Sequence, residues 1–164
     1  MAKKSSGGTP ATKALTKAGI AFTTHAYEHN PAVAAYGLEA AAALGLDPAR
    51  VFKTLLVELD DSPITLGVGI VPVDKHLDLK AIAVALGAKR AGLCPPVNAE
   101  RITGYVIGGI SPVGQKRQLP TVLADSAAAY DKIYVSGGKR GFDIGIAPED
   151  LIRATGASYA PIAR

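Results

Sequence analysis

Lys53 stands among Val51, Phe52, Leu55, Leu56 and Val57, a cation inside an apolar stretch. By residue type it is either an edge lysine pointing to water or a functional cation in a pocket. In a pocket its field is little screened, so it can anchor a phosphate or a carbonyl oxygen, and its pKa can fall. Thr54 adds a hydroxyl beside it on the other face of the strand. A different chemistry is suggested by His25-Ala26-Tyr27-Glu28-His29, which fits the inverted zinc pattern H-x-x-E-H. That pattern works only on a helix. On the strand expected here the two histidines stand roughly 13 Å apart, too far to share one zinc at about 2 Å from each nitrogen. No metal site is therefore expected, and Tyr27 is read as facing one side of the strand with His25 or His29 at its rim.

Gly104 to Pro120 reads GYVIGGISPVGQKRQLP, where four glycines, two prolines and two cations surround Ser111. Gly108-Gly109 frees main-chain N–H groups to approach a ligand, and Lys116-Arg117 follows just outside. A single segment of this kind is commonly an ordinary surface loop. Ser136-Gly137-Gly138-Lys139-Arg140-Gly141 repeats the recipe after an expected strand, and two such basic loops point to one anion-holding site. From Gly104 to Phe142 five cations stand against Asp125 and Asp131. Neither loop is G-x-x-x-x-G-K-[ST] and no G-x-G-x-x-G follows a strand, which argues against nucleotide-driven phosphoryl transfer and dinucleotide redox chemistry. No serine sits in a G-x-S-x-G elbow, and Cys94 before Pro95-Pro96 has no motif around it, so no activated protein nucleophile is indicated. Cys94 reads as a small packing residue. With three Phe, six Tyr and no Trp, a stacking platform for long single strands is poorly supported.

These groups need elements to position them. Thr9-Pro10 is a cap followed by a first-turn proline, opening a short helix that Gly19 ends. Ile20 to Tyr27 favours a strand, Leu38 to Leu44 a helix closed by Gly45, and Val51 to Leu59 a buried strand carrying Lys53. Asp60-Asp61-Ser62-Pro63 is a turn, so Ile64 to Val73 completes a hairpin. Asp78 caps a helix running to Leu86. Tyr105 to Ile107, Thr121 to Leu123, Lys132 to Val135 and Phe142 to Ile146 are further strand candidates, and Pro148 to Thr155 is a closing helix. This predicts an α+β domain around one antiparallel or mixed sheet. A length of 164 residues, 48% hydrophobic and 20% charged, suits one globular domain, and a lone cysteine excludes a disulfide framework. The first residues, Met1 to Gly8, read as a flexible tail without a secretion signal, leaving residues 9–164 as the domain. The longest apolar run, Ile64 to Val73, is too short for a membrane span, so a soluble, cytoplasmic protein is expected. The net charge of +4 permits a polyanionic partner without demanding one.

Val51-Phe52-Lys53-Thr54-Leu55, Leu77-Asp78-Leu79-Lys80, Ala85-Leu86-Gly87-Ala88-Lys89 and the strings GYVIGGISPVGQKR and IYVSGGKRG resemble the YbaK/EbsC family of aminoacyl-tRNA deacylases. The resemblance runs from about Thr9 to Arg164. It implies a single α+β domain with a central mixed, partly closed sheet flanked by helices. It implies hydrolysis of mischarged Cys-tRNA(Pro), and of Cys-tRNA(Cys) as a further substrate, without cofactor, metal or protein nucleophile. Lys53 and Gly108 then correspond to the family's catalytic positions. Tyr27, Thr54, Gly109, Ile110, Ser111, Pro112, Ser136 and Asp143 correspond to its pocket. Lys116, Arg117, Lys139 and Arg140 would steer the acceptor stem of tRNA(Pro), and prolyl-tRNA synthetase is the implied protein partner. Asn30 departs from the aspartate commoner after the Tyr-Glu-His segment. Two other readings stay open: a non-catalytic module that binds tRNA or the synthetase, and a deacylase for another small amino acid such as alanine.

Overall fold

A computed structural model describes residues 8–164, so the expected tail lies outside the described residues except for Gly8. The Thr9 hydroxyl accepts from the Thr12 N–H while the Thr12 hydroxyl accepts from the Thr9 N–H, a reciprocal cap that starts α1 (Pro10–Lys17). The chain continues through β1 (Thr23–Ala26), α2 (Tyr36–Leu44), β2 (Phe52–Asp60), β3 (Leu66–Pro72) and α3 (Leu79–Ala85). It then runs through β4 (Arg90–Leu93), α4 (Pro96–Thr103), β5 (Thr121–Ala124), β6 (Ile133–Lys139), β7 (Phe142–Ile146), α5 (Pro148–Thr155) and β8 (Ser158–Ala160).

The mixed α+β architecture comes as two sheet segments. One has strand order β4-β2-β3-β5-β8, with β2 antiparallel to β3 and to β4, and β5 parallel to both β3 and β8. The other is the antiparallel ribbon β1-β7-β6. A bridge between Val51 and Tyr134 ties the segments together and partly closes the sheet around one apolar core. Alternation decides what each strand shows to that core. On β7, Phe142, Ile144 and Ile146 belong to it, which turns Asp143 and Gly145 to the other face. A smaller apolar cluster of Ala41, Val51, Val73 and Tyr134 lies under α2. Among the described residues no helix is long and apolar enough to cross a membrane.

The hairpin, α1, α3, β5, β7 and α5 follow the sequence pattern to within a few residues at their ends. Tyr105 to Ile107 does not form the expected strand. Gly104 at φ +83° and Gly108 at φ +87° turn the chain on both sides of it. The Tyr105 hydroxyl donates to the Val113 carbonyl at 2.7 Å and the Ile107 N–H to Glu100 Oε2 at 2.8 Å, so local side-chain bonds override β propensity. Ser136 to Gly141 is likewise not a loop after a strand. β6 extends to Lys139 with a register irregularity between Ser136 and Lys139. Gly137 makes that course possible, because a Cβ there would come within 2.4 Å of the Phe142 ring.

Candidate active site

A cavity of about 520 Å³ opens between the start of the β2–β3 hairpin, the β6–β7 ribbon, the first turns of α2 and the chain around Gly108. Lys53 lines it from β2, opposite Val71 on β3. Burial lowers the pKa of its ammonium group and the charge of Asp74 partly offsets this. No described carboxylate forms an ion pair with it. Thr54 also lines the cavity, and its hydroxyl is buried without a hydrogen-bond partner among the described residues. Alternation puts it on the face of β2 shared by Phe52 and Leu56 of the core, so the orphan hydroxyl is a cost in stability behind the cavity wall.

Asp143 lines the cavity from β7, where it pairs in register with His25 of β1 and Ser136 of β6. It is 6% exposed, and burial pushes its carboxyl up to about 7. Tyr27 follows β1, its N–H bonded to the Gly141 carbonyl at 2.9 Å. Its phenol is pushed up to about 12, first by burial and then by the charge of Asp143. Ser136 completes this side, its hydroxyl accepting from the Gly138 N–H at 3.2 Å.

The other side is built from main chain. Gly108 and Ile110 line the cavity, whereas Gly109, Ser111 and Pro112 do not. Gly109 is pressed against the backbone of Lys139, where an added Cβ would meet Lys139 Cα at 2.7 Å. Its N–H is bonded to the Val106 carbonyl at 2.8 Å, while the Gly108 N–H has no partner among the described residues. Ser111 is fully buried, its hydroxyl accepting from the Val113 N–H at 3.2 Å and its carbonyl from Gln115 at 3.0 Å. The structure thus gathers Lys53, Thr54, Tyr27, Gly108, Ile110, Ser136 and Asp143 around one space and leaves the other three behind its wall.

None of Lys116, Arg117, Lys139 and Arg140 lines the cavity. The Lys116 stem packs on Gly104, Lys139 lies 5.5 Å from the Phe142 ring centroid, and Arg117 is exposed. Arg140 donates from Nε to the Ile107 carbonyl at 2.8 Å, and its guanidinium carbon lies 5.1 Å from the Tyr36 ring centroid. Tyr36, Asp74, Lys75 and His76 line the cavity and escaped sequence reasoning. The signal for the last three was available: pairing of Phe52 with Pro72 puts the polar turn after β3 at the end of the hairpin that carries Lys53. The histidines of the zinc-like pattern have separate partners. His25 Nε2 lies 2.7 Å from the Thr23 hydroxyl, and His29 Nδ1 lies 2.7 Å from Glu39 rather than against Glu28. Among the described residues no group of three or more His, Cys, Asp and Glu is placed to hold a metal.

The space is of the size that holds a small molecule or the end of a larger one. It offers a cation, a buried carboxyl and the main-chain N–H of Gly108, which has no partner among the described residues. Those groups suit polarising and orienting an acyl carbonyl.

Comparison with known proteins bears on this arrangement. The model of the aminoacyl-tRNA editing domain matches residues 30–154. An Enterococcus faecalis protein named "Putative Cys-tRNA(Pro)/Cys-tRNA(Cys) deacylase EbsC" is 42% identical over 123 residues, which are 74% of this chain and 73% of that one. A crystal structure described as "a putative trans-editing enzyme for prolyl tRNA synthetase" superposes with a TM-score of 0.81 at 24% identity, covering 99% of both chains. A second, of a hypothetical protein, gives 0.83 at 24% identity over 94% of this chain and 99% of the other. At that identity the two structures establish a shared fold.

Proposed function

This chain belongs to the aminoacyl-tRNA editing domain family, and we propose that it is a trans-editing hydrolase that deacylates mischarged Cys-tRNA(Pro), with Cys-tRNA(Cys) as a second substrate. The observation that carries the reading is Lys53 held half-buried in a cavity that the buried Asp143 and the main chain at Gly108 also line. The 42% identical relative carries the name of a deacylase for these two esters.

In this reading the aminoacyl end of the tRNA enters the cavity and Lys53 orients it, either through the terminal phosphate or through the ester carbonyl. The Gly108 N–H donates to the carbonyl oxygen as negative charge develops there, and Tyr27, Thr54, Ile110, Ser136 and Asp143 shape the pocket. Gly109, Ser111 and Pro112 act from behind, by fixing the course of the loop. The nucleophile comes from the substrate. The cysteinyl sulfur forms a bond to its own ester carbon, the bond from that carbon to the ribose oxygen breaks, and the thiol proton ends on the released hydroxyl. Water then opens the thiolactone to free cysteine, so the first step is lyase-like and the sum is hydrolysis. Lys116, Arg117 and Lys139 supply the positive field for the acceptor stem. Prolyl-tRNA synthetase is the proposed source of the mischarged substrate and of tRNA identity, and the cytoplasm the proposed compartment.

The test is ester loss from a panel of cysteinyl, alanyl and prolyl tRNA(Pro) and cysteinyl tRNA(Cys), with wild type and Lys53→Ala. Fast loss of cysteinyl esters that the variant abolishes supports the proposal. Preferential loss of the alanyl ester would make this a deacylase for another small amino acid. Tight binding of tRNA(Pro) with every ester half-life unchanged from buffer would make it a binding module instead.

A further inference from the structure

Arg140 has the composition of a phosphate-binding residue and the contacts of something else. From the turn between β6 and β7 its Nε donates to the Ile107 carbonyl at 2.8 Å, and its guanidinium carbon lies 5.1 Å from the centre of the Tyr36 ring. Gly108 is laid against that same ring, since a Cβ on it would meet Cδ1, Cγ and Cε1 at 2.7 to 2.8 Å. Gly109, one residue on, abuts the main chain of Lys139 and Arg140. Three pieces of chain far apart in sequence therefore converge on one guanidinium: the first turn of α2, the segment around Gly108, and the β6–β7 turn. Tyr36, Ile107 and Gly108 all line the cavity, and Arg140 does not.

The first turn of α2 is seated by packing, with Gly37 against the Val73 side chain and the Tyr36 ring centroid 5.7 Å from that of His29, and has few polar ties. Its N-cap is Ala35, which makes no side-chain cap bond. Its other polar tether is Glu39, which accepts from the Asn30 N–H at 2.8 Å and meets His29. Across this wall Arg140 joins Tyr36 to the loop through the Ile107 carbonyl. The rigid guanidinium fork does so with one N–H on the carbonyl and its central carbon 5.1 Å from the ring centroid, a span that a compact ammonium on a flexible stem holds less firmly.

We infer that Arg140 is a positioning residue that fixes how the Tyr36 ring seats against Gly108, and through it which aminoacyl group the cavity admits. The inference rests on the deacylase reading for its consequence, and on the three contacts for its mechanism. It is distinct from a role in holding tRNA phosphate.

Arg140→Lys and Arg140→Ala separate the two roles, because lysine keeps the charge and loses the bridge. Both variants are expected to lose about tenfold in kcat on Cys-tRNA(Pro), since small displacements of a substrate-positioning wall are costly. Their KM and its salt dependence should stay near wild type, and the preference for the cysteinyl over the prolyl ester should narrow. Amide hydrogen exchange should quicken around residues 35–38 and 105–110, read at the Gly109 N–H, while the β3 amide of Ile70 keeps its protection. Wild-type kcat in Arg140→Lys, with a raised KM and shallower salt dependence in Arg140→Ala, would make Arg140 a phosphate contact and overturn the inference. So would unchanged exchange at Gly109, or a loss of protection spread evenly over the molecule. If wild type deacylates nothing, the functional reading falls and the exchange pattern alone decides the bridge. Should Arg140→Ala fail to fold, Arg140→Lys answers each question by itself.

Discussion

Where β2, β6 and β7 bound the cavity, pairing and alternation fix the direction of every side chain, whereas around Tyr36, Ile107 and Gly108 the wall is held by close glycine contacts and side-chain bonds to backbone. The strand side carries the charge. Lys53 stands opposite Val71 in the β2–β3 hairpin and Asp143 opposite Ser136 in the β6–β7 ribbon, and burial there lowers the one pKa and raises the other as a direct result of the fold. The loop side carries shape and almost no charge of its own. A substitution on the strand side can therefore change protonation with little change of shape, and one on the loop side the reverse. The two sides should fail in different ways.

The largest expected difference is in activity. Lys53→Ala should lower kcat/KM on Cys-tRNA(Pro) by about 10² to 10³, the usual effect of removing one preorganised electrostatic group. The melting temperature should stay within a few degrees, because the group has no ion pair to lose. Single-turnover deacylation and thermal melts of the two proteins measure this, and a matching collapse of stability would erase the contrast between the walls.

Next comes the pH dependence of stability. The carboxyl of Asp143 rises from 3.8 to about 7 on folding. A raised carboxyl favours the folded state in its protonated form. Its contribution is complete below pH 3.8 and is lost as the pH climbs through about 7. The loss over that window is on the order of 4 kcal/mol. Asp143→Asn removes the titration. The variant should match wild type in urea melts near pH 4 and exceed it by a few kcal/mol near pH 8. Parallel stability curves for the two proteins would mean the carboxyl is solvated, and the strand side would lose its claim to be the charged one.

What the sequence made legible follows the same division. Thr9-Pro10, Asp78 and the turn at Asp60 to Pro63 act over a few residues, and the helices and hairpin they mark form where local physics puts them. Lys53 stood out because a cation in an apolar strand is anomalous by itself. Asp143 was reachable only through family resemblance, and Ser136 otherwise only as the start of a basic glycine-rich segment, since their nearness to Lys53 depends on the closure between Val51 and Tyr134. The strand expected at Tyr105 to Ile107 failed because Tyr105 bonds to Val113 and Ile107 to Glu100, contacts that no periodicity reports. β4 and β8 are short and exposed or half-buried throughout, carry no buried apolar run such as β5 has, and exist because β2 and β5 offer them edges. Arg140 was read by charge, the one property visible without knowing what it touches. Its partner Ile107 is 33 residues away.

Gly108→Ala is the counterpart on the loop side. The added methyl meets two penalties, the φ of +87° and the Tyr36 ring at 2.7 Å. Together they should cost about 2 kcal/mol and roughly a tenfold loss of kcat. Neither penalty involves a proton, so the loss should be the same at pH 4 and pH 8, unlike that of Asp143. Tyr36→Ala in the Gly108→Ala background should return the steric part and leave about 1 kcal/mol of backbone strain. Additive losses in the double variant would mean that ring and glycine do not press on each other.

The smallest effect lies one layer behind that wall. The Tyr105 hydroxyl donates to the buried Val113 carbonyl at 2.7 Å across the loop that contains Gly108 and Ser111, so Tyr105→Phe leaves that carbonyl without its donor while the ring still packs. The expected cost is about 1 to 2 kcal/mol in urea melts. If the loop side governs shape, the variant should also soften selectivity between cysteinyl and prolyl esters, in the same direction as Arg140→Lys and by less, because the bond lies outside the cavity. A stability loss with unchanged selectivity would confine shape control to Tyr36, Gly108 and Arg140. A gain in pH dependence would show that charge reaches this side after all, and the division between the walls would have to be redrawn.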